Sequence, residues 1–393
     1  MSIKEVELGD LIKVLSGFAF DSSHFNTEAG MPLVRIRDVV RGYSKTLYNG
    51  QYDERFVVTK GDILVGMDGE FNIAEWRRDS ALLNQRVCKL EVLRNDLLDS
   101  RYLLKFLPKE LKNIEDKASF VTVKHLSVKD ILGIKIPLPS LSVQNHISKI
   151  LDDADNLRKK DQALLKSYDE LAQSIFYDMF GDPVRNEKGW PVKKLKDIAI
   201  KVHSGNTPKG GSNVYVDSGI TFFRSQNVWK NNLIYEDIAF IDEKTHKSMS
   251  KSSLKHNDIL MTKTGRINTE NSSLGRAALF QGKDDSANVN GHVYLIRLRE
   301  QEIHEFVVHI LTSESFRDII REVCVGGIDK RQLNKDHIED FNIIYPPLEE
   351  QKKFSEILRL VNAKKAACER SRAHSEDLFN SLLQKAFKGE LIS

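Results

Sequence analysis

The stretch that decides the fold is Leu138–Gly181, which reads LPSLSVQNHISKILDDADNLRKKDQALLKSYDELAQSIFYDMFG. Between Pro139 and Gly181 it contains neither proline nor glycine, and a second stretch, Tyr345–Gly389, repeats the same plan. The pattern Pro-x-Leu-x-x-Gln opens both stretches, and its residues recur at a constant offset of 207 (346 − 139, for example). A chain that repeats a long helix in this way is expected to repeat what precedes the helix as well.

Both stretches predict long helices. A serine, Ser140 or Ser142, can cap the start of the first helix, and Gly181 and Gly389 are stop signals. A helix of about forty residues extends about 60 Å at 1.5 Å per residue. This length is far greater than that of an ordinary core helix, so the sequence predicts a spacer made of two paired helices.

Apolar residues recur with heptad spacing in the first stretch. Position a holds Ile147, Ala154, Asp161, Tyr168 and Ile175, and position d holds Ile150, Leu157, Leu164 and Leu171. Such a repeat predicts a coiled-coil seam, in which the lone polar residue Asp161 is expected to fix the register.

Length and composition indicate a folded protein with more than one globular part. The chain has 393 residues, too many for one ordinary core, and its 40% hydrophobic and 29% charged residues are typical of folded proteins. The formal net charge is only +3. Any nucleic-acid interface must therefore consist of local basic patches, because the whole-protein field is weak.

The location that the sequence predicts is the cytoplasm. No apolar run is long enough to span a membrane, and the start MSIKEVELGD does not resemble a secretory signal. The three cysteines, Cys88, Cys324 and Cys368, are isolated along the chain and match neither a disulfide framework nor a zinc site. This usage is typical of a reducing compartment.

The repeat divides the chain into four segments. Residues 1–138 and 183–345 are predicted to be two similar globular α/β domains, and residues 139–182 and 346–393 are predicted to be the spacer helices. The matched landmarks of the two domains are Leu8–Leu11 with Leu195–Ile198, Ser16-Gly17 with Ser204-Gly205, Val34–Val39 with Phe223–Val228, Gly61–Leu64 with Asn257–Leu260, Asp68-Gly69 with Thr264-Gly265, Asn84–Val87 with Asn290–Val293, and Ser119–Leu126 with Gly326–Leu333. The predicted fold is therefore α+β with a pseudo-twofold internal repeat. The residues between the landmarks differ widely, which favours two copies of one architecture that act on different targets.

These residues carry a family resemblance. The segment FGDPVRNEKGWPVKKLKDI (Phe180–Ile198), the turn GDILVGMDGEFN (Gly61–Asn72) and the twin Pro-x-Leu-x-x-Gln helices resemble the specificity (S) subunit of type I restriction-modification systems, the HsdS family. The resemblance covers essentially the whole chain. It is specific because of the full repeat, since any one of these motifs alone would be a weak signal.

The resemblance implies a DNA-binding function within a larger complex. Each globular segment would be a target-recognition domain that reads one half of a split, asymmetric double-stranded DNA site. The two helices would pair antiparallel, hold the domains apart and dock two methyltransferase (modification) subunits. That assembly would methylate adenine N6, and a motor–nuclease (restriction) subunit would complete the restriction complex. S-adenosylmethionine, ATP and Mg²⁺ are expected on the partner subunits, with no cofactor in this chain.

Several sequence motifs of enzymes are absent from the chain. An amino-methyltransferase needs an Asn/Asp-Pro-Pro-aromatic turn, and the only Pro-Pro pair, Pro346-Pro347, follows Tyr345 and begins a helix. There is no phosphate-binding Gly-x-x-x-x-Gly-Lys-Ser/Thr loop, and the histidines do not form a helical metal-binding pair. The sequence therefore predicts a non-catalytic subunit.

Candidates for DNA contact combine basic or amide side chains with loops and strand ends. Arginine pairs with guanine and glutamine with adenine in the major groove, whereas lysine more often contacts phosphate. The candidates are Arg35 and Arg37 with their counterparts Arg224 and Gln226; Glu70 and Asn72 with Lys263, Thr264, Arg266 and Asn268; and Thr122, Lys124 and His125 with Lys330, Arg331 and Gln332. Because Arg35 and Arg224 coincide in the repeat, Arg37 and Gln226 are the favoured base readers. The alternative is that these side chains only face solvent.

The helices also offer candidate contacts for partner subunits. Phe176, Met179, Phe379 and Leu383 lie off the main seam and are predicted either to meet partner helices or to pack on the adjacent globular domain. Two further functional hypotheses stay open at this stage. One is a coiled-coil adaptor whose globular domains bind proteins, and the other is a self-sufficient modification or restriction enzyme.

Overall fold

The structure is a computed structural model that describes residues 4–117, 124–267, 269, 271–327 and 330–391. Its contacts group the chain into two compact units. Unit 1 comprises Met1–Ala163 and Glu369–Ser393, and unit 2 comprises Leu164–Cys368. Each unit therefore contains one globular part together with a portion of both long helices.

Unit 1 is built from short strands and four helical segments in its first half. The strands are β1 (Glu5–Glu7), β2 (Ile12–Ser16), β3 (Phe25–Asn26), β4 (Met31–Val34), β5 (Leu47–Tyr48), β6 (Val57–Val58), β7 (Ile63–Gly66), β8 (Ile73–Glu75), β9 (Ala81–Leu83), β10 (Val87–Val92) and β11 (Lys135–Pro137). The helices are α1 (Ile36–Arg41), α2 (Ser100–Lys117), α3 (Val128–Leu132) and the start of the long helix α4 (Leu141–Phe180).

Unit 2 follows the same plan with insertions. The strands are β12 (Val192–Lys194), β13 (Ala199–Ser204), β14 (Tyr215–Val216), β15 (Ile220–Phe223), β16 (Ala239–Ile241), β17 (Ile259–Thr262), β18 (Thr264–Gly265), β19 (Ala277–Leu279), β20 (Ala287–Val289), β21 (Val293–Leu298), β22 (Val325–Gly326), β23 (Arg331–Gln332) and β24 (Asn342–Ile344). The helices are α5 (Leu195–Ile198), α6 (Glu243–Ser248), α7 (His304–Thr312), α8 (Glu314–Val323), α9 (Lys335–Glu339) and the start of the long helix α10 (Leu348–Lys388).

The sheets of the two units have matching topologies. An antiparallel sheet has the order β2-β10-β7-β8 in unit 1 and β13-β21-β17-β19 in unit 2. A second, mixed sheet has the order β3-β5-β4-β9-β6 in unit 1 and β14-β16-β15-β20 in unit 2. The pair β4–β9 and its counterpart β15–β20 are parallel. The predicted α+β fold with two similar globular parts and two long helices is confirmed.

The motif Pro-x-Leu-x-x-Gln has a structural explanation in its glutamine. Gln144 is fully buried, and its amide nitrogen donates to the carbonyl oxygens of Leu97 (2.7 Å) and Pro139 (2.8 Å). Its side-chain oxygen accepts from the N–H of Asp99 at 2.8 Å. The repeated residue Gln351 donates to the carbonyl oxygen of Pro346 at 2.8 Å. These bonds hold the start of each long helix against the chain that precedes it, because buried backbone groups need partners.

The two long helices run antiparallel within each unit. In unit 1, Arg158 of α4 donates from Nη1 to Glu376 Oε1 of α10 at 3.0 Å. Further along α4, Asp161 Oδ1 accepts from the hydroxyl of Ser371 of α10 at 3.3 Å. In unit 2, Lys365 Nζ lies 2.6 Å from Asp169 Oδ1, and the Phe176 and Phe354 rings are 5.3 Å apart. In both units the residue number rises along α4 while that of its partner on α10 falls.

The predicted heptad register is wrong at position d. Leu157, Leu164 and Leu171 are 44–45% exposed, whereas Leu151 is fully buried and Leu165 is half-buried. The residues at the predicted position a are therefore at the helix interface, as expected. The second interface row is formed by the residues that directly follow the predicted d residues, not by the d residues themselves. The sequence is ambiguous here because apolar residues occupy both rows, as in Leu164-Leu165, and only packing against α10 selects one of them.

The core of unit 2 places aromatic residues of both long helices against helix α7. Phe176, Phe180, Phe306 and Phe354 are fully or almost fully buried, and the Phe180 and Phe306 rings lie 4.9 Å apart. In unit 1, Phe387 of α10 packs in the same way on the rings of α2. In each unit the long helices thus share a core cluster with the sheet, and burial of these large rings stabilises it.

Candidate nucleic-acid interface

One edge of each unit collects the candidate DNA-contacting segments; we call it the polar edge. It comprises residues 35–37, 67–72, 84–86 and 124–126 in unit 1, and residues 224–226, 263–267, 269, 271–276, 290–292 and 330–333 in unit 2. The turn after β9 or β20 links these segments. In unit 1 the Met67 N–H donates to the Arg86 carbonyl at 2.8 Å, and in unit 2 the Lys263 N–H donates to the His292 carbonyl at 2.8 Å. The three candidate groups therefore meet at one place in each unit.

Two glycines let the polar edge close tightly. A Cβ atom on Gly17 would lie 2.0 Å from the Asn84 carbonyl oxygen, and one on Gly205 would lie 2.3 Å from the Asn290 carbonyl oxygen. The Gly17 N–H donates to the Val87 carbonyl at 2.9 Å, which brings the two strands together. The repeated Ser-Gly pair is thus required by close backbone approach rather than by a ligand.

The first candidate group of unit 1 lies at the start of a short helix that follows strand β4. Strand β4 ends at Val34, and Arg35 is the N-cap of α1. The Asp38 carboxylate accepts a hydrogen bond from the Arg35 N–H at 3.0 Å, so the acid that follows the strand starts a helix. Both arginines are exposed, with 57% of the Arg37 side chain accessible.

The counterparts in unit 2 are held by an acidic residue that the sequence analysis missed. The guanidinium of Arg224 and the amide of Gln226 both donate to Asp237 Oδ2, at 3.1 and 2.9 Å. Asp237 is exposed and has a positive φ of 53°. The Asn227 side chain caps the turn by accepting from the Arg224 N–H at 3.0 Å, as Asp38 does in unit 1. Nothing in the local sequence indicates the Asp237 contacts, because they join two loops.

The second and third candidate groups of unit 1 are adjacent. Asp68 faces His125 in an isolated β-bridge, and His125 Nδ1 lies 2.6 Å from Asp68 Oδ1. Arg86 Nε binds the other carboxylate oxygen of Asp68 at 3.1 Å. Lys124 reaches the partly buried Glu115 of α2 at 3.3 Å. Asp68 and Arg86 were not among the sequence candidates, although both belong to landmarks shared with unit 2.

The remaining candidates of this group line a cavity. Glu70 and Asn72 border a hollow of about 270 Å³ whose far side is formed by Lys112 and Glu115 of α2. Thr122 and Asn268 are sequence candidates that lie outside the described residues.

In unit 2 the same two groups form a strand pair. Thr264 pairs with Gln332 and Gly265 pairs with Arg331 in an antiparallel ladder. The Leu333 N–H donates to the Lys263 carbonyl at 2.9 Å, as the Leu126 N–H does to Met67 in unit 1. Lys330 and Arg266 are exposed at the end of this ladder. The matched pairs Asp68/Thr264 and His125/Gln332 therefore occupy equivalent positions with different chemistry.

The loop that precedes β19 is longer in unit 2 than its counterpart in unit 1. The Gly66 N–H donates to the Asn72 carbonyl at 2.8 Å, and the Thr262 N–H donates to the Arg276 carbonyl at 2.9 Å. Arg276 is therefore the structural counterpart of Asn72. Burial and, to a smaller extent, the nearby Arg317 lower the pKa of the Arg276 guanidinium to about 10. At neutral pH Arg276 is still protonated.

The candidate partner residues pack on their own units, which is the alternative that the sequence left open. Phe176 is fully buried in the core of unit 2, and Met179 packs against that core. Phe379 and Leu383 pack against the core of unit 1. Phe176 must be withdrawn from the partner-binding set because it has no accessible surface. For the other three, a partner contact stays a prediction.

Comparison with known proteins identifies the family. The model of the type I restriction modification DNA specificity domain matches residues 2–167 and again residues 187–372. The chain belongs to this family. The two matches coincide with the internal repeat, and together they cover most of the sequence.

Curated relatives of the family are similar over nearly the whole chain. The EcoBI specificity subunit of Escherichia coli is 27% identical, with 98% of this chain and 85% of the relative aligned. The MjaVIII specificity subunit of Methanocaldococcus jannaschii is 24% identical, with 96% of this chain and 91% of the relative aligned. These matches support a type I restriction-modification specificity subunit, which is a DNA-recognition component.

Solved structures share the fold. The S subunit of a type I restriction-modification system from M. genitalium superposes with a TM-score of 0.57 at 15% identity, covering 98% of this chain and 96% of that one. A chain from a study of complex assembly and conformational transition in a type I restriction-modification system has a TM-score of 0.55 at 17% identity, covering 99% and 98%.

Within the residues that the structure describes, no group of three or more histidine, cysteine, aspartate or glutamate side chains is arranged to hold a metal ion. In the same residues, no helix combines the length and the apolar character that crossing a membrane requires.

Proposed function

We propose that each unit reads one half of a bipartite, asymmetric double-stranded DNA site through its polar edge. The observation that carries this proposal is the occurrence of two equivalent edges with different side chains. Asp68 and His125 in unit 1 correspond to Thr264 and Gln332 in unit 2. One scaffold with two sets of hydrogen-bonding groups is what an asymmetric target requires, because base edges are distinguished by donor and acceptor patterns.

Within each edge we assign different roles to different residues. Arg37 and Gln226 are the proposed base readers, since their side chains project from helical turns directly after a strand. The exposed Lys330 and Arg266, together with the part-buried Lys124, are the proposed phosphate contacts. Phosphate contacts orient the duplex without selecting its sequence.

The helices are proposed to set the gap between the half-sites and to bind partner subunits. The four segments 1–138, 139–182, 183–345 and 346–393 remain our proposed functional division. Leu164 and Leu171 of α4 are 44–45% exposed and lie one heptad apart, which is suitable for contact with a helix of a modification subunit.

Catalysis is assigned to the partner subunits. We propose a complex with two methyltransferase subunits, which use S-adenosylmethionine for adenine methylation, and with motor–nuclease subunits that need ATP and Mg²⁺. This chain would direct both activities in the cytoplasm without a cofactor of its own. The alternative, an adaptor whose globular domains bind proteins, has no observation of its own in its favour.

Adenine-methylation mapping tests the proposal. The chain would be expressed with its modification subunits in a host that lacks other adenine methylation, and the methylated sites would be sequenced. We expect one bipartite motif with unequal halves and an unread gap. A purified complex should also bind duplex DNA with a steep dependence on salt, because phosphate contacts release counterions. A continuous motif, or binding that does not respond to salt, would contradict the proposal.

A further inference from the structure

The polar edge of unit 2 contains a loop whose return limb is held by buried side chains. We define the return limb as residues 271–274 and the loop tip as residues 266, 267 and 269. Consecutive carbonyl groups of the return limb accept hydrogen bonds from side chains: Asn271 and Ser272 from Arg276, Ser273 from the Thr262 hydroxyl, and Leu274 from Arg317. A limb bound at every carbonyl by side chains is unusual, since most backbone groups pair with backbone.

Both arginines are committed to this contact. Arg276 and Arg317 are each only 8% exposed, and neither has an acidic partner among the described residues. Arg276 Nε donates to the Ser272 carbonyl at 3.0 Å, and its guanidinium carbon lies 3.6 Å from the centre of the Trp229 ring. Burying two cations near one another is unfavourable unless their donors are satisfied. Here the return-limb carbonyls accept from both guanidinium groups, twice from Arg276 and once, at 3.4 Å, from Arg317.

The outgoing limb is held as well. Thr264 and Gly265 pair with β23, and the Ser273 hydroxyl donates to the Thr264 carbonyl at 2.8 Å, which joins the two limbs. The tip carries the exposed Arg266 and Thr269, while Ile267 packs against the core of unit 2. In unit 1 the equivalent segment is shorter and has Asn72 in place of Arg276.

We propose that Arg276 and Arg317 form a clamp that preorganises the loop of unit 2 for reading its DNA half-site. This proposal rests on the proposed function. The two arginines are positioning residues that act through the loop tip, and Arg317 on α8 would influence base selection without touching DNA. A rigid loop discriminates bases better than a mobile one, because a mobile loop can adapt to the wrong hydrogen-bonding pattern.

The test compares Arg276→Lys and Arg317→Met with the control Arg321→Met in the full-length chain. Arg276→Lys keeps the charge but removes the planar guanidinium whose separate nitrogens donate to the Asn271 and Ser272 carbonyls. Arg317→Met keeps the packing volume. Arg321 lies on the same helix, its side chain is 44% exposed, and it pairs with Asp318. In hydrogen–deuterium exchange, we expect the amides of residues 264–275 to exchange at least tenfold faster in both clamp variants than in the unaltered chain. In the control variant, their exchange rates should not change. Unchanged exchange in the clamp variants would overturn the proposal.

The second measurement is methylation mapping of the same variants with the modification subunits. We expect base preference to relax about tenfold in one half-site, with the other half-site and the gap unchanged. Two outcomes would overturn the role of the clamp in reading DNA. One is faster amide exchange in the loop with unchanged base preference in both half-sites. The other is an equal loss of base preference in both half-sites. If the unaltered chain produced no bipartite motif, the proposed function itself would fail, and hydrogen exchange alone would then decide whether the clamp exists.

Discussion

The side-chain amide of Gln226 donates a hydrogen bond of 2.9 Å to the carboxylate of Asp237. The same carboxylate oxygen accepts from Arg224 at 3.1 Å, so one acid holds two proposed DNA-contacting side chains of unit 2. Because Asp237 is exposed and negatively charged, it would repel the phosphate backbone while it orients Arg224 and the proposed reader Gln226. Affinity and selectivity should therefore respond to this residue in opposite directions.

Replacement of Asp237 by asparagine is expected to raise the affinity for non-cognate DNA about threefold to tenfold at low salt, and to reduce discrimination in one half-site. The first effect follows from removal of a negative charge at the interface, and the second from weaker orientation of Gln226. Fluorescence anisotropy with cognate and scrambled duplexes at two salt concentrations measures both. The control is Glu243→Gln, an exposed acid on α6. Unchanged affinity for scrambled DNA would contradict the expectation.

Arg37→Ala and Gln226→Ala are expected to relax different half-sites. A bidentate base contact contributes about 1–3 kcal/mol of discrimination, so each variant should accept other bases at one position of its own half. The opposite half should keep its sequence, because the two residues belong to separate repeats. Methylation mapping of each single variant and of the double variant measures this. Loss of both halves in a single variant would count against independent readers.

Gln144→Leu is expected to destabilise the protein more than Gln351→Leu. Gln144 forms hydrogen bonds with Leu97, Asp99 and Pro139, whereas Gln351 bonds only to Pro346 among the described residues. Leaving buried backbone groups without partners should cost about 3 kcal/mol at the first position and about 1 kcal/mol at the second. Thermal unfolding monitored by calorimetry measures the difference. Equal shifts for the two variants would show that the extra bonds of Gln144 contribute nothing.

Leu164→Glu and Leu171→Glu are expected to abolish binding of modification subunits while leaving the isolated chain folded. Both leucines are 44–45% exposed, so a glutamate at either position stays in water in the free chain. In a complex the added charge would be buried without a partner, which is strongly unfavourable. Size-exclusion chromatography with the modification subunit measures assembly, and Gln173→Glu on the same helix is the control. Intact assembly with both leucine variants would place the docking surface elsewhere.

Acidification is expected to destabilise unit 2 through His309. Burial lowers the pKa of this imidazole from 6.5 to about 4, with the rings of Phe176 and Phe354 centred 4.7 and 5.1 Å away. The unfolded chain binds a proton below pH 6.5 while the folded chain does not, so stability is present above pH 6.5 and is lost as the pH falls toward 4. The free energy of unfolding should be about 2 kcal/mol lower at pH 5 than at pH 7.5 because of this residue.

The variant His309→Phe isolates this contribution. In this variant, the difference in the free energy of unfolding between pH 7.5 and pH 5 should be about 2 kcal/mol smaller than in the unaltered chain. Urea unfolding monitored through the tryptophans of unit 2 measures this difference. His374→Gln, at an exposed position of α10, should leave the difference unchanged. An identical pH dependence in the His309 variant and the unaltered chain would refute the assignment to this residue.

The repeat and the long helices were predictable because their signals are local. Proline and glycine punctuation marks the ends of α4 and α10 to within a few residues, and matched landmarks such as Asp68-Gly69 and Thr264-Gly265 occupy equivalent positions. The candidate segments were also predictable as a group, since they follow strand positions that match between the two repeats. Their meeting at one edge in each unit follows from the topology that the repeats share.

Other features were not predictable because they depend on contacts between distant segments. The bonds from Arg224 and Gln226 to Asp237 join two loops that lie more than ten residues apart in the chain. Loop length concealed the correspondence of Asn72 and Arg276, which appears only from the hydrogen bonds of Gly66 and Thr262.

The amino-acid sequence by itself determined the internal repeat, the extent of both long helices, the α+β class and the segments that carry the polar edges, because periodicity, caps and turn residues act within a few positions of the chain. Only the tertiary structure decided the seam between the helices, the burial of Phe176 and the arginine clamp on the loop of unit 2. Adjacent leucines such as Leu164 and Leu165 have the same hydrophobicity, so the neighbour across the interface, rather than the sequence pattern, selects the one that is buried.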